Sequence, residues 1–228
     1  MSKTNIRLTI NHNGRIFEPP VEDEVKIEWE RTSTPGKLTF TTIKVNDPAM
    51  SFDEGDQVTF YHNEKPLFVG YVFKKKRDKQ HHIEVTCYDQ LRYLKNKYAY
   101  IFTNQRASQI VFSLCNDFKL KIGTIEDSKY VIPSIAEENK EAFDIILTAT
   151  EETLLNCGDM FVLYDDAGSI MYKDCSKMVS DTMIMSDTAE DFSYSTSIDD
   201  ETYNSIVLYY KPDQTTTKKT DKDEKSTN

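Results

Sequence analysis

From Ile6 to Cys87 apolar residues return at every second position, and turn-forming residues interrupt them at short intervals. Successive side chains of a strand point to opposite faces, so this alternation builds sheets with one apolar and one solvated face. Ile6, Leu8 and Ile10 alternate with Arg7 and Thr9, and Asn13-Gly14 supplies the positive backbone angles of a tight hairpin leading to Ile16-Phe17. Val25, Ile27 and Trp29 alternate with Lys26, Glu28 and Glu30; Pro35-Gly36 turns the chain into Leu38, Phe40, Ile43 and Val45. Val58 and Phe60 follow Glu54-Gly55-Asp56, and His62 to Lys65 connects them to Leu67–Phe73, which is apolar on both faces. Gly70 inside that run signals a bulge or a close backbone approach. Ile83, Val85 and Cys87 complete about seven short strands, enough for a sandwich or small barrel over residues 1–98.

From Thr103 the period becomes 3.6. Ala107, Ile110, Val111, Leu114, Cys115 and Phe118 share one helical face, with Thr103 expected to cap it. A second helix is expected from a cap at Asn139, with Phe143, Ile146, Leu147, Leu154 and Cys157 inward and Gly158 as its left-handed terminator. Met160–Tyr164 and Ile170–Tyr172, joined by Asp165-Asp166-Ala167-Gly168, read as a hairpin, so residues 99–185 form a small α+β domain. Strands are expected near Phe192–Ser197 and Ser205–Tyr210; they either extend the preceding domain or begin a third. The segment from Gln214 to Asn228 has no apolar residue and is expected to be disordered alone, or to form a loop.

Charge narrows the partners. The formal net charge of −10 disfavours nucleic acid as an obligate partner. Residues 1–98 carry 16 basic and 14 acidic side chains, residues 99–185 carry 7 and 14, and the remainder 5 and 10. No stretch reaches the roughly 18 apolar residues of a membrane span, and the start lacks the apolar core of a signal peptide, which places the expected product in the cytoplasm. Cys87, Cys115, Cys157 and Cys175 form no Cys-x-x-Cys pair and are read as reduced, mostly buried thiols.

Residue patterns for chemistry are missing. His12, His62, His81 and His82 fall in or beside turns without metal-ligand spacing, and no nucleophile elbow, phosphate loop or dinucleotide fingerprint occurs. Asp165-Asp166 reads as an acidic turn, because calcium-loop spacing is absent. No catalytic residue, metal or cofactor is therefore expected. Contact surfaces are the better candidates: the strand end Tyr71, Phe73, Lys74, Lys75, Lys76 and Arg77, and the aromatic series Tyr98, Tyr100 and Phe102.

The order of several segments carries a resemblance: Trp29 then Pro35–Phe40, Phe52-x-Glu54-Gly55-Asp56-x-Val58, Leu67–Val72, Val85–Leu91 with Leu94, Thr103–Ala107, Tyr130–Ser134 and the Gly158–Lys173 hairpin. Over residues 5–210 the chain resembles the XkdQ/YqbQ tail hub family of PBSX-type prophages and related R-type bacteriocins. The resemblance implies a mostly β fold with an α+β insert. Its parts would be a small N-terminal β-barrel (1–98), an α+β middle domain (99–185), strands of an incomplete second barrel (186–211) and a polar tail or loop (212–228). It further implies a non-enzymatic baseplate hub of a contractile tail, assembled in the bacterial cytoplasm and then part of the particle. Its partners would be itself as a homotrimer needing residues beyond 228, the tail tube protein, the spike protein and other baseplate proteins. The competing expectations are a cell-wall-hydrolysing tail enzyme, marked by converging carboxylates or a metal triad, and a β-barrel module binding glycan or nucleic acid.

Overall fold

A computed structural model describes residues 5–30, 34–44, 48–180 and 185. The strands expected near Phe192–Ser197 and Ser205–Tyr210, and the polar tail, lie outside these residues.

Seven antiparallel strands arise where the alternation places them: β1 (Ile6–His12), β2 (Arg15–Phe17), β3 (Val21–Glu28), β4 (Lys37–Ile43), β5 (Gln57–His62), β6 (Lys65–Arg77) and β7 (His82–Tyr88). They pair in the order β2-β1-β5-β6-β7-β4-β3 as a curled half-barrel, with β2 and β3 as the two edges. Asn13 and Gly14 have φ of 51° and 83°, and Asn63 and Glu64 have 49° and 64°, the backbone of tight two-residue hairpins matched to strand twist. The concave face holds Ile10, Leu38, Val58, Val85 and Cys87, all fully buried, with Leu8, Phe40, Phe60, Phe68 and Val72 around them. Each such side chain contributes about 1.5–3 kcal/mol by leaving water. Trp29 lies beyond the end of β3 and is 53% exposed, so it does not extend the apolar face expected of Val25 and Ile27.

Gly70 marks a close approach. A Cβ there would lie 2.5 Å from the Tyr88 carbonyl oxygen and 2.6 Å from the Phe68 ring. Gly70→Val, although β-branched and suited to a strand, is therefore expected to lower stability by about 1–3 kcal/mol through overpacking, read as a lower urea midpoint. An unchanged midpoint would show that both the Tyr88 backbone and the Phe68 ring can give way.

A second core follows. The pair β8 (Lys97–Gln105) and β10 (Ile132–Glu141), the sheet of β9 (Ile122–Ile125), β12 (Ile170–Asp174) and β11 (Phe161–Asp165), and the helices α1 (Ala107–Asp117) and α2 (Ala142–Cys157) enclose it. Leu94, Ile110, Leu114, Ile145, Ile170 and Tyr172 are among its fully buried members. The hairpin β11–β12 forms as expected, and Gly158 ends α2 at φ 78°, its N–H donating to the Leu154 carbonyl.

Both helix starts differ from expectation. Thr103 pairs with Ser134 in the β8–β10 ladder, so α1 begins only after Arg106, whose N–H donates to the Gln109 side chain at 2.9 Å. Asn139 sits at φ 55° in the bulge of β10, and α2 begins after Glu141. The inward stripe of α2 is Ala142, Phe143, Ile145, Ile146, Ala149 and Thr153. Leu154 and Cys157, expected to face inward, are exposed in the last turns of α2, and Leu147 is half-buried. Two of the four thiols, Cys87 and Cys115, are buried; Cys157 is exposed and Cys175 half-buried, correcting the expectation of mostly buried thiols.

Candidate protein-protein interface

The strand end read as a contact surface is built by a bulge. Through Val72, even-numbered residues of β6 face the core and Tyr71 faces out; between Val72 and Lys74 the register against β7 slips by one residue. A slip of one flips every later side chain. Lys75 consequently stands opposite Val85 on the core side, its ammonium 5.1 Å from the Phe52 ring centre and donating to the Phe52 carbonyl at 2.7 Å and to Asp53 at 3.1 Å. Lys75 is therefore a structural plug over Phe52 rather than a free contact. Lys76 reaches Glu84 at 3.9 Å, Arg77 bonds the His81 ring, and Lys74 is exposed without an ion pair among the described residues.

On the outer face, Tyr71 and Phe73 join three further residues, Tyr88, Tyr93 and Arg92. The Phe73 ring lies 5.5 Å from Tyr88 and 6.0 Å from Tyr93, Tyr71 lies 6.4 Å from Tyr93, and the Arg92 guanidinium sits 5.7 Å from Phe73. Burial, with Tyr71 next, pushes the Tyr93 hydroxyl above its ordinary pKa. Aromatic rings with an arginine are what protein contacts are enriched in. Tyr88 was legible as the outward partner of Val85 and Cys87; Tyr93 and Arg92, on a short 3-10 turn at Gln90–Lys95, carried no such signal.

The aromatic series on β8 divides. Phe102 is 7% exposed within the second core, and so is not a surface residue of the described structure. Tyr100 stacks on it at 5.5 Å and donates its hydroxyl to Asp117 at 3.1 Å; burial and that bond push its pKa up to about 12. Tyr98, 46% exposed, packs edge-on against Phe118 at 5.1 Å and is the member left facing solvent. Alternation along β8 could have shown that Tyr98, Tyr100 and Phe102 share one face.

A polar joint links the two cores. The buried Asp89 carboxylate accepts the N–H groups of Gly36 at 2.8 Å and Leu91 at 3.0 Å, and the Gln90 amide bonds both backbone groups of Lys121. Asp165, expected in an acidic turn, is buried enough that its pKa is raised, although the Gly168 N–H donates to its Oδ1. Burial first, and the Asp165 charge second, raise Asp89 to about 7. His12 is likewise not a free turn residue: it lies in β1, 2.7 Å from Asp56. Among the described residues no group of three His, Cys, Asp or Glu is placed to hold a metal, and no helix is long and apolar enough to cross a membrane. Burial pushes the Cys87 and Cys115 thiols up to about 12, far from reactive thiolates.

This geometry has relatives. The YQBQ-like family model matches residues 25–228, nearly the whole chain. The chain belongs to the YQBQ-like family. The phage-like element PBSX protein XkdQ of Bacillus subtilis is 33% identical over 216 residues, covering 91% of this chain and 65% of XkdQ. The uncharacterized protein YqbQ of the same organism is 33% identical over 188 residues, covering 79% of this chain and 56% of YqbQ. The chain thus spans less than two thirds of the length of either relative. Among solved structures, the 43 kDa tail protein of prophage MuSo2 from Shewanella oneidensis superposes with a TM-score of 0.57 at 15% identity, over 74% of this chain and 53% of that one. A tail protein from Neisseria meningitidis gives 0.54 at 8% identity, over 73% and 50%. The described fold is mostly β with an α+β unit, as expected, and is shared with those two tail proteins; the small barrel expected over residues 1–98 is an open, curled half-barrel.

Proposed function

We propose that this protein is a structural hub of a phage-like contractile tail baseplate, forming a homotrimeric ring that joins the sixfold tail tube to the threefold spike. The observation that supports it is the order of parts. A half-barrel whose edge strands among the described residues are β2 and β3 precedes an α+β unit, in a chain akin to XkdQ and with the fold of solved tail proteins. A closed ring needs a contact between two different surfaces of the same chain, repeated about an axis, and strand edges and aromatic faces supply such surfaces without a cleft. The domain division at 98/99 and 185/186 and a contact role for Tyr71, Phe73, Lys74 and Tyr98 belong to this proposal. So do a non-enzymatic role and assembly in the bacterial cytoplasm.

The test is deletion of the gene in a strain that produces the particles. Loss of complete tails, with assembly restored by the gene in trans, is the expected outcome; normal tails without it would refute the hub role. Purified protein that cleared a cell-wall suspension would favour the hydrolase reading instead.

A further inference from the structure

Two exposed apolar surfaces of opposite charge lie on the described part of the chain. The first is a groove of 470 Å³ between α2 and β11, where Leu154, Met160 and Met178 stand 37%, 46% and 45% exposed. Glu151 is its one charged lining residue, exposed and in no ion pair among the described residues. The second is a 280 Å³ hollow beside the corner Pro19-Pro20, where Ile43 and Met50 stand 40% and 37% exposed. Its charged lining residues are Lys44, Lys75 and Arg77, with no acid among them. Lys75 is committed to Phe52 and Asp53, and Arg77 to the His81 ring, whereas Lys44 is exposed with no ion pair among the described residues.

We infer that the basic apolar hollow of one copy docks on the acidic apolar groove of the next copy. The inference rests on the hub reading and specifies its repeating contact. Apolar area on both sides supplies the driving force, and the charges select the pairing. Hollow against hollow sets Lys44 and Arg77 against their own kind, and groove against groove does the same for Glu151; only the unlike pairing is attractive. A contact between unlike surfaces of one chain runs head to tail and closes into a ring when the rotation permits. The same asymmetry runs through the sequence, where residues 1–98 hold 16 basic against 14 acidic side chains and residues 99–185 hold 7 against 14.

The experiment is sedimentation velocity of the full chain over a range of concentrations and salt. Expected are concentration-dependent association that weakens with salt, and a loss of about tenfold or more in affinity for both Lys44→Glu with Arg77→Glu and for Glu151→Lys. Mixing these two variants restores the contact between unlike variants, because each then offers the other a surface of opposite charge; pairs and open chains recover, whereas a three-membered ring would still hold one like pair. All three positions are at the surface, so unchanged far-UV circular dichroism is expected to show that folding is intact. The absence of even weak self-association at the highest concentration, association indifferent to both variants, or a mixture that fails to recover pairwise association would each overturn the docking. The hub reading stands or falls separately on the gene deletion: tails lost without the gene while association ignores these charges would sink the two surfaces alone.

Discussion

Raising the pH from about 4 to about 7 is expected to lower the stability of this protein, by up to about 4 kcal/mol from Asp89 if its carboxyl moves from 3.8 unfolded to about 7 folded. Asp89 is 2% exposed, so screening by water does little to reduce the effect. A group whose folded pKa is raised favours folding most below its unfolded value, and that contribution is lost as pH rises through the folded value. The raised Asp165 acts in the same direction. The carboxyls of Glu28, Asp78, Glu126, Asp127 and Asp174 work oppositely, held down by lysine, histidine, backbone or, for Asp174, Ser176 hydroxyl donors. Their contribution is lost only as pH falls below the ordinary carboxylate range, so the two trends occupy different windows.

Asp165→Asn separates the causes. Asparagine keeps an oxygen for the Gly168 N–H while removing the charge, so stability at neutral pH is expected to rise by about 1 kcal/mol and the slope between pH 4 and 7 to flatten in part. Only part is removed, because burial is the larger cause at Asp89. Urea midpoints at successive pH values measure this; a native protein with no slope in that window would disprove the raised carboxyls.

The second large effect is at Tyr172. Its ring is fully buried, stacked on Phe161 at 5.0 Å between centres and 11° between planes, and its hydroxyl meets the Thr150 hydroxyl at 3.1 Å. Tyr172→Ala is expected to cost about 3–5 kcal/mol by removing an aromatic ring from a packed core. Tyr172→Phe keeps the ring and is expected to cost about 1 kcal/mol for the lost hydrogen bond. Thermal or urea unfolding distinguishes them, and equal losses would mean that the hydroxyl, not the ring, holds this part of the core.

Much of this fold could be read along the chain. Alternation located the seven strands of the half-barrel, Asn13-Gly14 and Asp165–Gly168 located hairpins, and Gly158 located the end of α2, because each depends on side-chain period or on backbone angles that few residues accept. Where local preference met a competing partner, the tertiary structure decided. Thr103 and Asn139 look like helix caps, yet the β8–β10 ladder takes both, and β10 with its acidic second half carries little apolar period to announce it. Phe102 looks like a contact residue and is core, because Ile135 pairs with it from a strand thirty-three positions on.

The candidate surfaces follow the same division. Residue types alone marked Tyr71, Phe73 and the basic run, but the bulge that turns Lys75 inward depends on the pairing of β6 with β7. Aspartates at 89 and 165 are each unremarkable in sequence, and only folding brings them close enough in a water-poor joint for one charge to raise the other's pKa. Local period is written into neighbouring residues, so the sequence by itself determined which segments become strand or helix and which way most of them face. Strand order, burial of charge and the placing of two oppositely charged apolar surfaces depend on residues far apart in the chain, and long-range packing alone sets those.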